Sequence, residues 1–264
     1  MTDQPNGSPL FSLHGKVAVI TGSSRGIGFA IALEMARAGA QVVISSRKMD
    51  ACETAANTIN TEVGRDAASP FGASISDTEA LAALVEHANK TFGKVDILVC
   101  NAASNPYYGP MEGISDEQFH KILHNNVVAN NRLITMVAPQ MRDRQDGAII
   151  IVSSIGGLKG SPVIGAYNVS KAADMQMARN LAVEFGKDNI RVNCIAPGLI
   201  KTDFAKALWD NPKTYANYVN TTPLARIGMP REIAGTAIFL ASEAGGFVTG
   251  QTVVVDGGTT IQGG

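Results

Sequence analysis

The sequence predicts an α/β fold in which one parallel sheet carries helices on both faces. Short apolar runs at residues 17–21 and 148–152, and the mainly apolar stretch at 95–100, are typical of strands that are buried on both faces. These runs alternate with longer segments of helical periodicity, as parallel strands require because each needs a crossover connection. The length of 264 residues suits one large domain with a substantial core, or at most two small domains.

The composition argues against several classes of function. Charged residues make up 17% of the chain and the formal net charge is -1, so we expect neither nucleic acid nor a membrane as a partner. The polar start lacks the basic and apolar regions of a signal peptide, and we expect a flexible tail at 1–12 before a single catalytic domain at 13–264. Three widely spaced cysteines favour reduced thiols and a cytoplasmic location.

A glycine-rich turn follows the first strand and leads into a helical segment that ends at Gly39. The turn reads Gly22-Ser23-Ser24-Arg25-Gly26-Ile27-Gly28. Backbone N–H groups at a helix N-terminus point at an anion, and side chains would block its approach. Strand, turn and helix therefore predict a phosphate site. The spacing differs from G-x-G-x-x-G, so a glycine turn without a ligand stays open as an alternative.

The end of the second strand, at 41–46, bears on which dinucleotide binds. It reads Ser45-Ser46-Arg47-Lys48. NAD sites place an acidic residue here for the ribose hydroxyls, whereas NADP sites have small residues and a nearby Arg for the 2′-phosphate. Arg47 offers a planar fork to a phosphate, and Arg25 is a second candidate. The sequence favours NADP(H), the alternative being that these are solvated surface cations.

Helices and strands continue to alternate through the middle of the chain. Helical patterns at 51–61 and 78–91 precede strands at 69–74 and 95–100. A long helical segment follows at 116–142, with Ser115 as its N-cap. Its His120 and His124 are one turn apart, but no glutamate or third ligand completes a zinc motif, so we expect no metal. Asn126 on this segment is polar among apolar neighbours and is a candidate functional residue.

Tyr167 and Lys171 stand four residues apart in a predicted helix and therefore on one face. A neighbouring ammonium favours the phenolate form of a tyrosine and tunes it for acid–base chemistry. Ser154 precedes Tyr167 by thirteen residues, at the end of the apolar run 148–152. A strand, loop and helix can bring that hydroxyl over the helix start, where it could polarise a carbonyl.

The last part of the chain predicts a strand at 190–195, a helix at 230–240 and a strand at 252–255. Pro197-Gly198 follows the first of these strands, and ligands of open α/β sheets bind at such carboxyl edges. An aromatic-rich insert at 203–222 is either a lid over a pocket or part of the core, and both interpretations stay open.

Together these motifs resemble the short-chain dehydrogenase/reductase family, over residues 13–258. The glycine turn, Asn126, Ser154, Tyr167 with Lys171, and the Pro-Gly turn match the family's motifs. The resemblance implies a Rossmann-type, doubly wound single domain with a seven-stranded parallel sheet, assembled as a homotetramer. Within the family, the motifs are most similar to the branch of NADPH-dependent carbonyl (retinal) reductases.

The resemblance also implies roles for residues. Ser154 would donate a hydrogen bond to the carbonyl oxygen, Tyr167 would deliver the proton, Lys171 would hold the nicotinamide ribose, and Asn126 would fix a water that links Lys171 to solvent. The residues expected at the cofactor are Gly22, Ser24, Arg25, Gly26, Ile27, Gly28, Ser46, Arg47, Lys48, Ser74, Ile75, Asn101, Ala102, Ala103, Tyr167, Lys171, Pro197, Gly198, Ile200 and Thr202. Those expected at the substrate are Ser154, Ile155, Tyr107, Tyr108, Phe204 and Trp209. Two residues depart from the family pattern, since Ala103 replaces a glycine and Ser74 an aspartate.

The expected activity is NADPH-dependent reduction of a bulky apolar ketone or aldehyde, or the reverse oxidation of an alcohol. One alternative is a 3-oxoacyl thioester on a carrier protein as the substrate. Another is a nucleotide-binding scaffold or sensor without catalysis, against which the complete set of four catalytic candidates argues.

Overall fold

Most strands and helices form where the apolar runs and the helical periodicity predict them, whereas the insert at 203–222 contains two short helices for which the sequence predicts no element. The computed structural model describes residues 8–262, apart from the side chain of Ala207. The strands are β1 Val17–Thr21, β2 Gln41–Ser46, β3 Ala68–Gly72, β4 Ile97–Cys100, β5 Gly147–Val152, β6 Ile190–Pro197 and β7 Thr252–Val255. The helices are α1 Gly26–Arg37, α2 Met49–Val63, α3 Thr78–Phe92, α4 Asp116–Leu123, α5 Ala129–Arg144, α6 Gly165–Phe185, α7 Lys206–Trp209, α8 Pro212–Asn220 and α9 Pro230–Ala241.

All seven strands lie in one parallel sheet with the order β3-β2-β1-β4-β5-β6-β7. The chain first builds outward from β1 to β3 and then resumes on the other side of β1 with β4. This reversal confirms the predicted doubly wound Rossmann-type fold. It also opens a crevice at the carboxyl ends of β1 and β4, where such sheets bind ligands.

Alternating strand residues supply two separate cores, one on each face of the sheet. Ala18 and Ile20 of β1 pack with α1, α2 and α9, whereas Val19 between them packs on the other side with α3, α5 and α6. Successive side chains of a strand point to opposite faces, so continuous apolar runs are needed to serve both cores. Helices therefore cover both faces, as predicted.

The segment predicted as one helix at 116–142 is divided by a π-helical turn at His124–Val128, between α4 and α5. Ser115 caps α4 as predicted, in a capping box with Gln118. A π turn adds a residue to the helical repeat, and such turns are frequent at functional sites. Here the turn buries Asn125 and Asn126.

The predicted tail at 1–12 falls partly on residues 1–7, which lie outside the described part of the chain. Pro9–Phe11 forms one 3₁₀ turn, and Leu13 is fully buried. The limits of tail and domain stay a prediction. Among the helices of residues 8–262, none combines the length and the apolar character that crossing a bilayer demands.

Candidate active site

The predicted site residues collect at one edge of the sheet. The glycine turn follows β1, Arg47 follows β2, Asn101 follows β4, Ser154 follows β5 and the Pro-Gly turn ends β6. Since the strands are parallel, all their carboxyl ends meet at this edge. The topology therefore brings together residues that are far apart in the sequence.

The glycine turn is shaped by residues that need to lack a side chain. Gly22 and Gly26 have φ angles of 65° and 61°, a conformation that glycine adopts without strain. A Cβ at Gly28 would lie 2.5 Å from the Gly22 carbonyl oxygen. Arg25 occupies the N-cap of α1 without a capping side-chain bond. No side chain of the described residues caps the N-terminus of α1, so its backbone N–H groups can bind an anion. The phosphates of a dinucleotide fit this site.

Asn101 joins the ends of β4 and β1 at the point where the sheet order reverses. Its side-chain nitrogen donates to the carbonyl oxygens of Thr21 at 2.9 Å and Gly22 at 3.1 Å. The Thr21 hydroxyl accepts from the backbone N–H groups of Asn101 and Ala102. These bonds hold the segment Asn101-Ala102-Ala103 against the glycine turn.

The end of β2 presents cations without a neighbouring carboxylate partner. Ser46 donates or accepts at the thiol of Cys52, and Arg47 and Lys48 are exposed. Within residues 8–262, no ion pair occupies either cation. Arg25 approaches Asp203 at 3.4 Å, across the cleft from the glycine turn. Ser74 bonds the hydroxyl of Ser76, and Ile75 packs partly buried against the second core.

Tyr167 and Lys171 project from the same face of α6, as their spacing predicts. The Lys171 Nζ atom lies 5.7 Å from the centroid of the Tyr167 ring. It also donates to the Val152 carbonyl oxygen at the end of β5, at 3.0 Å. Ser153 donates from its hydroxyl to the Lys171 carbonyl oxygen at 2.7 Å. The end of β5, just before Ser154, is thereby fastened to α6.

Asn126 in the π turn connects two other parts of the site. Its side-chain oxygen accepts from the Ser104 N–H at 2.8 Å, and its nitrogen donates to the Ser170 hydroxyl at 3.0 Å. Ser104 follows β4, and Ser170 precedes Lys171 on α6. Asn126 thus fixes the loop after β4 relative to α6, and its role with a water stays a prediction.

The buried amine of Lys171 has a carboxylate beside it. Asp174 lies one turn further along α6, with its Oδ2 atom 3.0 Å from Nζ, and neither side chain is more than 2% exposed. Burial alone lowers the pKa of Lys171, but the attraction of Asp174 and Tyr167 outweighs burial and the pKa is raised. Burial raises the pKa of the Asp174 carboxyl, while Lys171 and Asn130 act in the opposite direction. Both carboxyl oxygens accept hydrogen bonds, which is the pattern of an ionised pair.

The loop after β6 is held by the aromatic insert. Tyr218 on α8 accepts from the Leu199 N–H at 2.7 Å, and Trp209 donates from its indole to the Thr202 carbonyl oxygen at 2.8 Å. A Cβ at Gly26 would lie 3.4 Å from the Thr202 side chain. The loop with Pro197, Gly198, Ile200 and Thr202 thus faces the glycine turn.

The predicted substrate residues are brought together only in part. The Phe204 ring lies 6.3 Å from the Tyr167 ring, and Ile155 is partly buried beside Ser154. Tyr107 donates from its hydroxyl to the Pro110 carbonyl oxygen, and Tyr108 is 66% exposed. Trp209 lines a cavity of about 550 Å³ with Lys201, Tyr215 and Arg226. Their contact with substrate stays a prediction.

Sequence reasoning missed Asp174, Asn130 and Tyr218. An acidic residue three positions after Lys171 was a signal for Asp174, because residues three apart share a helix face. Asn130 follows Asn126 by four residues, so it also shares that residue's face. Tyr218 gave no sequence signal, since its partner is a backbone N–H in a distant loop.

The chain is similar to known proteins over almost its whole length. A family model described as Enoyl-(Acyl carrier protein) reductase matches residues 22–260. The Bos taurus protein Dehydrogenase/reductase SDR family member 4 is 43% identical over 254 residues, which cover 94% of this chain and 88% of the relative. This is the branch of reductases that the motifs resemble, so the resemblance is confirmed.

Solved structures of proteins that are about one third identical to this chain share its fold. A 7α-hydroxysteroid dehydrogenase complexed with NADH and 7-oxo glycochenodeoxycholic acid has a TM-score of 0.91 and 36% identity, covering 96% of this chain and 97% of that chain. A gluconate 5-dehydrogenase from Burkholderia cenocepacia in complex with NADP and tartrate has a TM-score of 0.91 and 32% identity, covering 97% and 99%. The same fold thus accepts either nicotinamide cofactor.

Proposed function

The chain belongs to the short-chain dehydrogenase/reductase family, and from that premise we propose that it is an NADP(H)-dependent reductase of bulky apolar ketones or aldehydes. As a member it is an oxidoreductase acting on CH-OH or C=O groups. The observation that carries the proposal is the buried ammonium of Lys171 beneath the Tyr167 ring, at the end of the strand that carries Ser154. This arrangement combines a proton donor, a cation and a hydroxyl at one sheet edge.

The residues of the edge fit a dinucleotide. The N-terminus of α1, which has no side-chain cap among residues 8–262, and the turn with glycine at 22 and 26 would hold the phosphates, and Lys171 would hold the nicotinamide ribose. When bound, the nicotinamide supplies or accepts the hydride.

The chain's own residues control the charge that develops on the substrate oxygen. Ser154 donates a hydrogen bond to that oxygen, where negative charge grows as the carbonyl carbon is reduced. Tyr167 transfers its phenolic proton to the same oxygen, and the ammonium of Lys171 stabilises the phenolate that remains. In alcohol oxidation, the phenolate of Tyr167 takes the proton back.

A preference for NADP over NAD is supported by the end of β2. Ser46, Arg47 and Lys48 stand where NAD-binding relatives of this fold class place a carboxylate. Arg47 is exposed and unpaired by any described carboxylate, so its guanidinium can take a 2′-phosphate in bidentate fashion. Arg25 on the glycine turn is a second candidate cation, although its side chain approaches Asp203.

Apolar and aromatic side chains near Tyr167 favour a bulky apolar substrate. Phe204 and Ile155 lie beside the catalytic tyrosine and serine. A solved relative of 36% identity is complexed with a 7-oxo steroid, which is a ketone of this kind. The second candidate substrate is a 3-oxoacyl thioester on a carrier protein. The family model's description, Enoyl-(Acyl carrier protein) reductase, supports the carrier-bound acyl group of this candidate but names an enoyl group in place of the 3-oxo group.

A homotetramer and a cytoplasmic location complete the proposal. The edge strand β7 is paired only with β6, and Val183 and Phe247 are largely or fully exposed. Covering such an edge with a second copy would remove both the unpaired backbone groups and the apolar surface from water. The three cysteines are free thiols, as a reducing compartment favours.

The test is consumption of NADPH by the purified protein, with parallel assays using NADH. The panel contains aromatic ketones, 1,2-diketones, retinal, oxo-steroids and 3-oxoacyl thioesters. We expect turnover of bulky carbonyls with NADPH. A strong preference for NADH would contradict the cofactor assignment, and activity confined to acyl thioesters would select the second candidate. No turnover with nucleotide binding intact would favour a scaffold or sensor.

A further inference from the structure

Asp174 is a buried titratable residue that the catalytic scheme above does not use. Its side chain is fully buried, and its Oδ2 atom lies 3.0 Å from the Nζ atom of Lys171. Its other oxygen accepts from the side-chain nitrogen of Asn130 at 3.3 Å. The same nitrogen donates to the Asn126 carbonyl oxygen. A carboxylate therefore sits between the catalytic lysine and the π turn, with a polar partner for each oxygen.

The charged and titratable groups around the Lys171–Asp174 pair are few. Tyr167 faces the pair from α6, Cys100 from β4 and Cys194 from β6. Burial raises the pKa of both thiols, followed by the repulsion of Asp174, so neither thiol carries charge at neutral pH. Among the residues that the structure describes, Asp174 is the one carboxylate within 4.0 Å of the Lys171 amine.

A lysine in this position cannot keep its proton without help. Its side chain is 2% exposed, and desolvation of a buried lysine favours the neutral amine by up to several pKa units. A buried ion pair is in general no more stabilising than apolar side chains of the same volume. Its presence here is therefore better explained by the need for a charged Lys171 than by the stability of the fold.

We propose that Asp174 is a positioning residue for catalysis, whose carboxylate keeps Lys171 protonated in the dry interior and holds Nζ between the end of β5 and the Tyr167 ring. This role rests on the proposed function, because only acid–base chemistry at Tyr167 requires the ammonium. Asn130 supports Asp174 by occupying its second oxygen. Asp174 does not touch substrate and acts through Lys171 alone.

The first test is the pH dependence of carbonyl reduction by Asp174→Asn, which keeps the shape and removes the charge. Near pH 6 we expect the variant to reduce the carbonyl at a rate close to that of the unchanged protein. The rate of the variant divided by that of the unchanged protein should fall at least tenfold by pH 9, as Lys171 loses its proton. Glu184→Gln removes an exposed carboxylate from the same helix and should follow the unchanged protein at every pH. A structural defect would lower the rate by one factor throughout, so a ratio independent of pH would overturn the proposal.

The second test measures urea unfolding and needs no turnover. Lys171→Met and Asp174→Leu each leave one buried charge without its partner, so each should lower the urea midpoint. The double variant should regain most of the loss. If the decrease in the urea midpoint of the double variant equals the sum of the two single decreases, the proposal is overturned. If the unchanged protein reduces no carbonyl in the panel, the proposed function fails, whereas the coupling measured in urea still decides whether Asp174 holds the lysine's charge.

Discussion

Three contacts fix the position of Lys171. At the scale of residues, the fixed position of this amine is the main feature of the site. Nζ donates to Val152 of β5 and to Asp174 of the same helix, while the Lys171 backbone accepts from Ser153. The side chain cannot leave the Tyr167 ring without breaking at least one of these bonds. Tyr167 itself is only partly buried, whereas Lys171 is fully buried.

Removing the phenolic hydroxyl tests the role of Tyr167. We expect Tyr167→Phe to lower kcat by about 10²- to 10⁴-fold, the usual contribution of a positioned acid or base, because the ring remains but the proton is gone. The Kd for NADPH, measured by fluorescence, should stay nearly the same. Thr61→Val is the control, since it removes a hydroxyl from an exposed side chain of α2 that belongs to no predicted site. Loss of turnover and of NADPH binding together would contradict the assigned role.

The cation after β2 gives a prediction about cofactor choice. Arg47→Ala should raise the KM for NADPH roughly ten- to hundredfold, since a hydrogen bond to a charged group contributes about 1.5–3 kcal/mol, and should leave the KM for NADH unchanged. The measurement is initial rate against cofactor concentration. The control is Lys187→Ala. It removes a positive charge from the turn before β6, at the amino ends of the strands and away from the carboxyl ends that Arg47 follows. Equal effects on both cofactors would show that Arg47 does not recognise the 2′-phosphate.

At the scale of elements, the insert at 203–222 lies on the surface and is hydrogen-bonded to the loop that follows β6. None of the residues of α8 is buried, which argues against the core interpretation of this segment. Yet Tyr218 and Trp209 each hold a backbone group of the loop that follows β6. Movement of the insert and of the loop should therefore be coupled, as a lid over a bound ligand requires.

This coupling predicts the effect of Tyr218→Phe. The change leaves the Leu199 N–H, in a residue only 7% exposed, without its partner. An unsatisfied buried donor costs about 1–3 kcal/mol, so the free energy of unfolding should fall within that range. The Kd for NADPH should rise as well, because the loop loses its support. Tyr215→Phe, on the same helix and without a described partner for its hydroxyl, should change neither quantity. If the two variants have the same free energy of unfolding and the same Kd for NADPH, the insert does not support the loop that follows β6.

At the scale of the whole molecule, the two edges of the sheet differ. The β3 edge is flanked by α2, which packs on β2 and β3. At the other edge, β7 is one of the shortest strands, and Val254 on it is partly exposed. Val183 of α6 and Phe247 add apolar surface near this edge. Exposed apolar surface beside an unpaired strand marks an interaction site.

The assembly should therefore depend on the β7 edge. Phe247→Asp is expected to reduce the mass measured by light scattering from that of a tetramer to that of a dimer or monomer, because burying an unpaired carboxylate disfavours association. Met49→Asp, on α2 at the opposite edge, is the matched control and should leave the mass unchanged. A monomeric unchanged protein, or a Phe247→Asp tetramer, would rule out this edge as the interface.

Much of this arrangement could be predicted because its signals are local. The strands appear as apolar runs, the glycine turn as spaced glycines, and the Tyr167–Lys171 pair as two residues four apart. The π turn could not be predicted in the same way. It depends on Asn126 reaching Ser104 and Ser170, which are 22 and 44 residues away, and neither separation leaves a periodic pattern in the chain.

The sequence by itself determined the fold class, the order of the elements and the pairing of Tyr167 with Lys171, because hydrophobic periodicity and short spacings act within single elements. Only the tertiary structure decided that Asp174 and Asn130 surround Lys171, and that Tyr218 holds the loop after β6. The physical reason is that a buried charge or donor is satisfied by whatever group the packing of separate elements brings within about 3 Å, and chain order alone does not specify that neighbour.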